Sequence, residues 1–218
     1  MTTKTDIKDS IIAQGMLPLF YNSSAEVSID TTRALYKAGI RVIEYTNRGE
    51  AALANFKALK QLQLELPGLL LGIGTIKNSE QAEQFVAAGA DFLISPLVNP
   101  EVAAVAARHN LLWIPGCMTP TEIYNAQQLG AAFVKLFPAN VLGPGFVSAV
   151  KDLFPGLQMM PTGGVDMDQD NISSWFKSGV AAVGMGSKLI TKNVLENKAY
   201  DQLYTDTLRA LQMVNAAR

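Results

Sequence analysis

Short apolar runs alternate with amphipathic segments from one end of the chain to the other. The runs at 16–20, 41–46, 69–73, 91–95, 111–115, 132–137, 157–161 and 181–184 have the length of buried strands. Between them apolar positions recur at helical spacing, as at 29–37 and 79–88, and a short extra helix over 5–13 precedes the first run. Gly39, Gly89, Gly130 and Gly179 each stand where a helical stretch ends and an apolar run starts within a residue or two. Glycine there supplies the left-handed cap that stops a helix cleanly. Thr119-Pro120-Thr121-Glu122 reads as a helix start, with Thr119 as cap, Pro120 in the first turn and Glu122 reaching back to the cap. Strict alternation of strand and helix predicts a parallel sheet. About eight such units favour an α/β fold of the closed (β/α)8 TIM barrel type, with a short N-terminal extra helix, over a doubly wound open sheet. The 218 residues form one domain, 1–218, with little room for a second domain or a long lid.

One residue breaks the pattern. Lys135 stands inside Ala131-Ala132-Phe133-Val134-Lys135-Leu136-Phe137, where a buried parallel strand carries nothing charged. A buried ammonium costs several kcal/mol unless it is paired or loses its proton. A nucleophilic amine explains its retention; an exposed strand, or a lysine snorkelling to the surface, is the alternative. The run Val42-Ile43-Glu44-Tyr45-Thr46 poses the same question with the opposite charge, and Arg48 lies just beyond its end. Side chains alternate along a strand, so Val42, Glu44 and Thr46 share one face, as do Phe133, Lys135 and Phe137. If both faces point inward, an amine and an acid/base meet around one substrate. A structural ion pair is the competing explanation, although buried pairs stabilise weakly.

Active sites of such barrels gather at the C-terminal ends of the strands. Gly72-Ile73-Gly74-Thr75 ends one strand, with two glycines that let the backbone come close and a hydroxyl at Thr75. Glycine-rich turns follow the last two strands, in Met160-Pro161-Thr162-Gly163-Gly164-Val165 and Val183-Gly184-Met185-Gly186-Ser187-Lys188. Many barrels hold a phosphate at those two turns, although tight turns need glycine for geometry alone.

Composition narrows the partner. With 49% hydrophobic and 17% charged residues and a net charge of -1, the chain offers no basic face for nucleic acid and no polybasic segment for a membrane. No apolar stretch reaches the roughly 20 residues of a membrane helix, and the first residues lack the apolar core of a signal peptide. Cys117 is the only cysteine, so no intramolecular disulfide forms. A cytoplasmic enzyme acting on a small molecule fits best. His109, the only histidine, falls between a helix and the next strand and is expected at the surface; no His/Cys cluster suits zinc. Cys117 has no histidine to activate it and is expected to pack, as are Trp113 and Trp175.

In chain order, Glu44-Tyr45-Thr46-Asn47-Arg48, Gly72-Ile73-Gly74-Thr75, Ser95-Pro96 with Asn99-Pro100, Pro115-Gly116 before Thr119-Pro120-Thr121-Glu122, Lys135-Leu136-Phe137-Pro138-Ala139, Pro161-Thr162-Gly163-Gly164 and Gly184-Met185-Gly186-Ser187 cover nearly the whole chain. Together they resemble the 2-keto-3-deoxy-6-phosphogluconate (KDPG) and 4-hydroxy-2-oxoglutarate (KHG) aldolases. The resemblance implies a (β/α)8 barrel, assembled as a homotrimer, and a class I aldolase that needs no metal or other cofactor. It implies Lys135 as the Schiff-base lysine, Glu44 as the proton-transfer residue, and Arg48 and Thr75 as ligands of the pyruvate carboxylate. It sets Thr162, Gly163, Gly164, Gly186 and Ser187 around the distal, phosphate-bearing end of a 2-keto-3-deoxy sugar acid. The chain departs from the pattern at Phe20-Tyr21, where some members carry an arginine, and at Met185, often glycine or valine. Both departures are expected at the substrate's far end, which leaves galactonate-derived and hydroxyoxoglutarate substrates open. A phosphosugar isomerase or epimerase would share the glycine turns without explaining Lys135, and a sugar-phosphate sensor would normally have lost one of Glu44, Arg48 and Lys135, all of which are present.

Overall fold

The computed structural model describes residues 3–218. Its elements run α1 (Lys4–Gln14), β1 (Met16–Phe20), α2 (Ala25–Lys37), β2 (Val42–Thr46), α3 (Ala52–Gln63), β3 (Leu70–Gly74), α4 (Ser79–Ala87) and β4 (Phe92–Ile94). They continue with α5 (Pro100–Arg108), β5 (Leu112–Ile114), β6 (Gly116–Cys117), α6 (Pro120–Gln128), β7 (Phe133–Leu136), α7 (Ala139–Leu142) and α8 (Pro144–Val150). The last are β8 (Gln158–Pro161), α9 (Gln169–Ser178), β9 (Val183–Met185), α10 (Lys192–Glu196) and α11 (Tyr200–Ala217). Every apolar run singled out in the sequence contains a strand, and all pairings are parallel.

The run at 111–115 gives β5, and a further short strand, β6, follows it directly. Pro115 has no N–H to give a ladder, so β5 pairs with β4 and ends before it, while β6 begins after it and pairs with β7. The strands therefore form a sheet in the order β5-β4-β3-β2-β1-β9 and a second in the order β6-β7-β8. Between β8 and β9, the Ala181 N–H donates to Met159 O at 2.9 Å and Thr162 bridges Gly184.

Helix ends follow local chemistry. Helix α2 starts at Ala25, ahead of the periodic stretch that begins at Ile29, because the Ser24 hydroxyl accepts the Val27 N–H and satisfies a free donor of the first turn. Thr119 and Glu122 make the expected capping box on α6. Gly39, Gly89, Gly130 and Gly179 stand at φ 105°, 89°, 86° and 102°, the left-handed region that ends a helix at little cost only for glycine.

Period-2 alternation divides the core into two layers. Leu17, Val42, Phe92, Ile94, Leu112, Ile114, Phe133 and Met160 pack on the sheet face that carries Glu44 and Lys135. Ile7 and Ile11 of α1 join this layer, which brings α1 against the N-terminal ends of the strands. Gln14, at the end of α1, fixes it there: its Nε2 donates to Met16 O and Val42 O, and its Oε1 accepts the Arg41 and Val42 N–H groups. Ile43, Tyr45, Ile73, Leu93, Val134, Leu136 and Met159 face the other way, into the layer shared with the helices. Each fully buried aliphatic side chain contributes about 1.5–3 kcal/mol. Among the described residues no helix is long and apolar enough to cross a membrane.

Candidate active site

Strand alternation fixes the faces as expected. Glu44 is completely buried on β2, and Lys135, 5% exposed, projects from β7 onto the same apolar layer. Lys135 Nζ stands 3.4 Å from Glu44 Oε1, although β2 and β7 are not neighbours in either sheet. Oε2 of Glu44 is buried and takes no hydrogen bond from any described residue. A carboxylate left half-satisfied in an apolar layer is costly and suits a group that must also reach a ligand. Clearance for it comes from β3: a Cβ on Gly74 would lie 1.8 Å from Glu44 Oε1. The Lys135 ammonium also lies 5.6 Å from the centroid of the Phe137 ring.

Above this pair opens a cavity of about 550 Å³. Arg48, Thr162, Gly163, Gly164, Gly186 and Ser187 all line it, with Thr46, Phe137, Tyr21 and Lys188 among the others. Arg48 is exposed and forms no ion pair with any described residue. Lys135, Glu44 and Thr75 are not part of the wall; Thr46 and Phe137, each two residues beyond the buried pair on the same strand face, stand there instead. Thr75 follows Gly74, whose carbonyl accepts the Asn47 N–H at 2.8 Å and so ties the ends of β2 and β3 together. Thr75 has φ 64°, a conformation that costs a β-branched residue about 1–3 kcal/mol and collects at functional sites.

The turn after β8 is built around its two glycines. Gly164 has φ 75°, and a Cβ there would meet Asn140 Cα at 2.7 Å, so both conformation and space require glycine. Two residues that sequence reasoning did not connect to the site hold this turn: Asn171 Nδ2 and Trp175 Nε1 donate to Gly164 O at 3.2 and 3.4 Å. Trp175 was legible only as a packing aromatic, because its distance in sequence from the turn hides the contact. Thr162 is buried with its Oγ1 lacking any partner among the described residues, and a Cβ on Gly184 would stand 2.4 Å from that oxygen.

One expectation fails. Met185 is fully buried in the layer shared with the helices and does not line the cavity. Its neighbours Gly184 and Gly186 take the cavity face, so alternation turns Met185 away; Phe20 and Tyr21 do line the cavity. His109 is exposed and bonded to Glu83 at 2.9 Å, ahead of β5 and remote from the site. Cys117 is buried, and burial, with the charge of Glu122 adding to it, pushes its thiol up to about 12.

The fold is that of a parallel α/β protein that buries a lysine and a glutamate against each other beneath a cavity. Residues 7–205 match the family model for KDPG and KHG aldolase. A 2-dehydro-3-deoxy-phosphogluconate aldolase of Treponema pallidum is 32% identical over 200 residues, spanning 91% of this chain and 93% of that one. The KHG/KDPG aldolase of Escherichia coli is 30% identical over 197 residues, spanning 89% and 90%. A solved KDPG aldolase from Legionella pneumophila, with pyruvate captured as a covalent carbinolamine intermediate, matches with TM-score 0.84 at 26% identity over 93% of this chain and 96% of that one. The chain belongs to the KDPG and KHG aldolase family.

Proposed function

We propose that this chain is a class I aldolase, a lyase that cleaves KDPG to pyruvate and glyceraldehyde 3-phosphate, or 4-hydroxy-2-oxoglutarate to pyruvate and glyoxylate. The observation that carries this reading is the 3.4 Å contact between Lys135 Nζ and Glu44 Oε1 inside an apolar layer. At that distance Glu44 can take a proton from the ammonium and leave a neutral amine.

The amine attacks the C2 ketone and forms a carbinolamine. Glu44 returns a proton to the C2 hydroxyl, which leaves as water and gives an iminium. Glu44 then removes the proton of the C4 hydroxyl; the C3–C4 electron pair moves toward C2 and neutralises the iminium as an enamine, while C4 becomes the aldehyde. Protonation of the enamine at C3 and hydrolysis release pyruvate and restore Lys135. Arg48 holds the C1 carboxylate in a bidentate grip, with Thr75 beside it, and so fixes the ketone against the amine. Thr162, Gly163, Gly164, Gly186 and Ser187 take the distal end, where the N–H groups of the glycine turns suit an anion.

The same reading takes residues 1–218 as one domain and the two sheets as one closed (β/α)8 barrel. The hydrogen bonds between β8 and β9 and the single proline between β5 and β6 support closure. Assembly as a homotrimer fits the exposed apolar side chains Leu97, Met118 and Val141, which follow β4, β6 and β7. A cytoplasmic location fits a substrate of this kind.

Incubation with pyruvate and borohydride, followed by peptide mapping, tests the chemistry. An adduct confined to Lys135 is expected. No adduct, or adducts spread over surface lysines such as Lys37 and Lys57, would return the isomerase and sensor readings to first place.

A further inference from the structure

The cavity wall includes two hydroxyls that the chemistry above leaves unused; Thr46 Oγ1 already donates to Phe20 O at 3.3 Å, and the other belongs to Tyr21. Tyr21 follows β1, and β1 lies between β2 and β9 in the sheet. The loop after β2 carries Arg48 and the loop after β9 carries Ser187, so a substrate reaching from one to the other crosses the end of β1.

Tyr21 is held in one place there. Its phenol rests on Gly49, where a Cβ would stand 2.2 Å from the Tyr21 oxygen, and its ring lies 5.9 Å from that of Tyr45. The next residue is clamped: the Asn22 carbonyl accepts the Tyr45 hydroxyl at 2.8 Å and Asn55 Nδ2 at 3.0 Å. The Tyr21 oxygen itself makes no hydrogen bond with any described residue. A fixed polar group on a cavity wall loses little freedom when a ligand bonds to it.

We propose that Tyr21 is a specificity-determining residue whose phenol bonds a hydroxyl on the carbon next to the aldehyde carbon, so that the enzyme favours α-hydroxyaldehydes. This rests on the aldolase reading. A phenol both donates and accepts, as the hydroxyl of an aldehyde half does, and carries no charge that would select an anion at that point. A site built to bond a hydroxyl discriminates against an analogue lacking it.

The test is condensation of pyruvate with 2-hydroxypropanal and with propanal, two acceptors that differ by one hydroxyl. The unmodified protein is expected to show the higher kcat/KM for 2-hydroxypropanal, and Tyr21→Phe to lower the ratio of the two values about tenfold, the weight of one neutral hydrogen bond. Gly49→Ala, which forces the phenol off its seat, is expected to lower the same ratio. A ratio in Tyr21→Phe within about twofold of the unmodified protein, with pyruvate still trapped on Lys135, overturns the role of Tyr21 and leaves the aldolase reading standing. Absence of trapping in the unmodified protein overturns both.

Discussion

Glu44 and Gly74 occupy one space between them: a Cβ on Gly74 would lie 1.8 Å from Oε1 of Glu44 and 2.6 Å from its carboxyl carbon. The carboxylate keeps its place beside Lys135 only because β3 ends in a residue without a side chain. Gly74→Ala is therefore expected to displace Glu44, lower kcat at least tenfold and destabilise the fold by about 1–3 kcal/mol, the usual penalty for overpacking. Urea unfolding beside steady-state kinetics would check both. Unchanged kcat would mean that Glu44 tolerates the shift and is not held as tightly as its surroundings suggest.

The two members of the buried pair are expected to fail in different ways. Lys135→Ala should abolish turnover and borohydride trapping together. Glu44→Gln should lower kcat by about 10²–10⁴, the weight of a positioned general acid/base, and still allow some trapping of pyruvate. Equal retention of activity in both variants would sink the mechanism.

Cys117 sets an alkaline limit on stability. Its folded thiol is pushed up to about 12, chiefly by burial, whereas an unfolded cysteine titrates near about 8.5. Between those values the unfolded chain gives up a proton that the folded chain keeps. The contribution is therefore complete below about pH 8.5 and declines as pH rises toward the folded value. Denaturant midpoints measured from pH 8 to pH 10 should fall less steeply in Cys117→Ala than in the unmodified protein. Iodoacetamide at pH 8 should label Cys117 only after unfolding, since the thiolate is the nucleophile; rapid labelling of the native protein would contradict this burial.

Gln14 joins α1 to the strand ends through both ends of its amide. Gln14→Leu leaves the Arg41 and Val42 N–H groups and two carbonyls without that partner, at an expected cost of at least about 1–3 kcal/mol. The variant's pyruvate trapping should match that of the unmodified protein, because Gln14 stands at the opposite strand ends. A thermal melt with the unmodified midpoint would show that water replaces the amide at no cost.

Much of the fold was legible in the chain because its signals are local. Apolar runs, the glycines after helices and the Thr119 to Glu122 cap each depend on a few adjacent residues, and each appears where expected. What was not legible depended on contacts from elsewhere. Ser24 started α2 early through a cap that periodicity does not register. Asn171 and Trp175 reached the Gly164 carbonyl from a separate helix.

The sequence by itself determined which residues share a face of a strand, because the two-residue repeat of a strand is a property of the backbone. That set Glu44 with Val42 and Thr46, and Lys135 with Phe133 and Phe137; the tertiary structure turned both of those faces inward and turned Met185 toward the helices. Only the tertiary structure decided that two side chains 91 residues apart meet at 3.4 Å. It alone set Tyr21 on Gly49 beside the cavity. The distance between side chains on strands that are not neighbours depends on strand order and sheet curvature, which every element in the chain fixes together and no local pattern encodes.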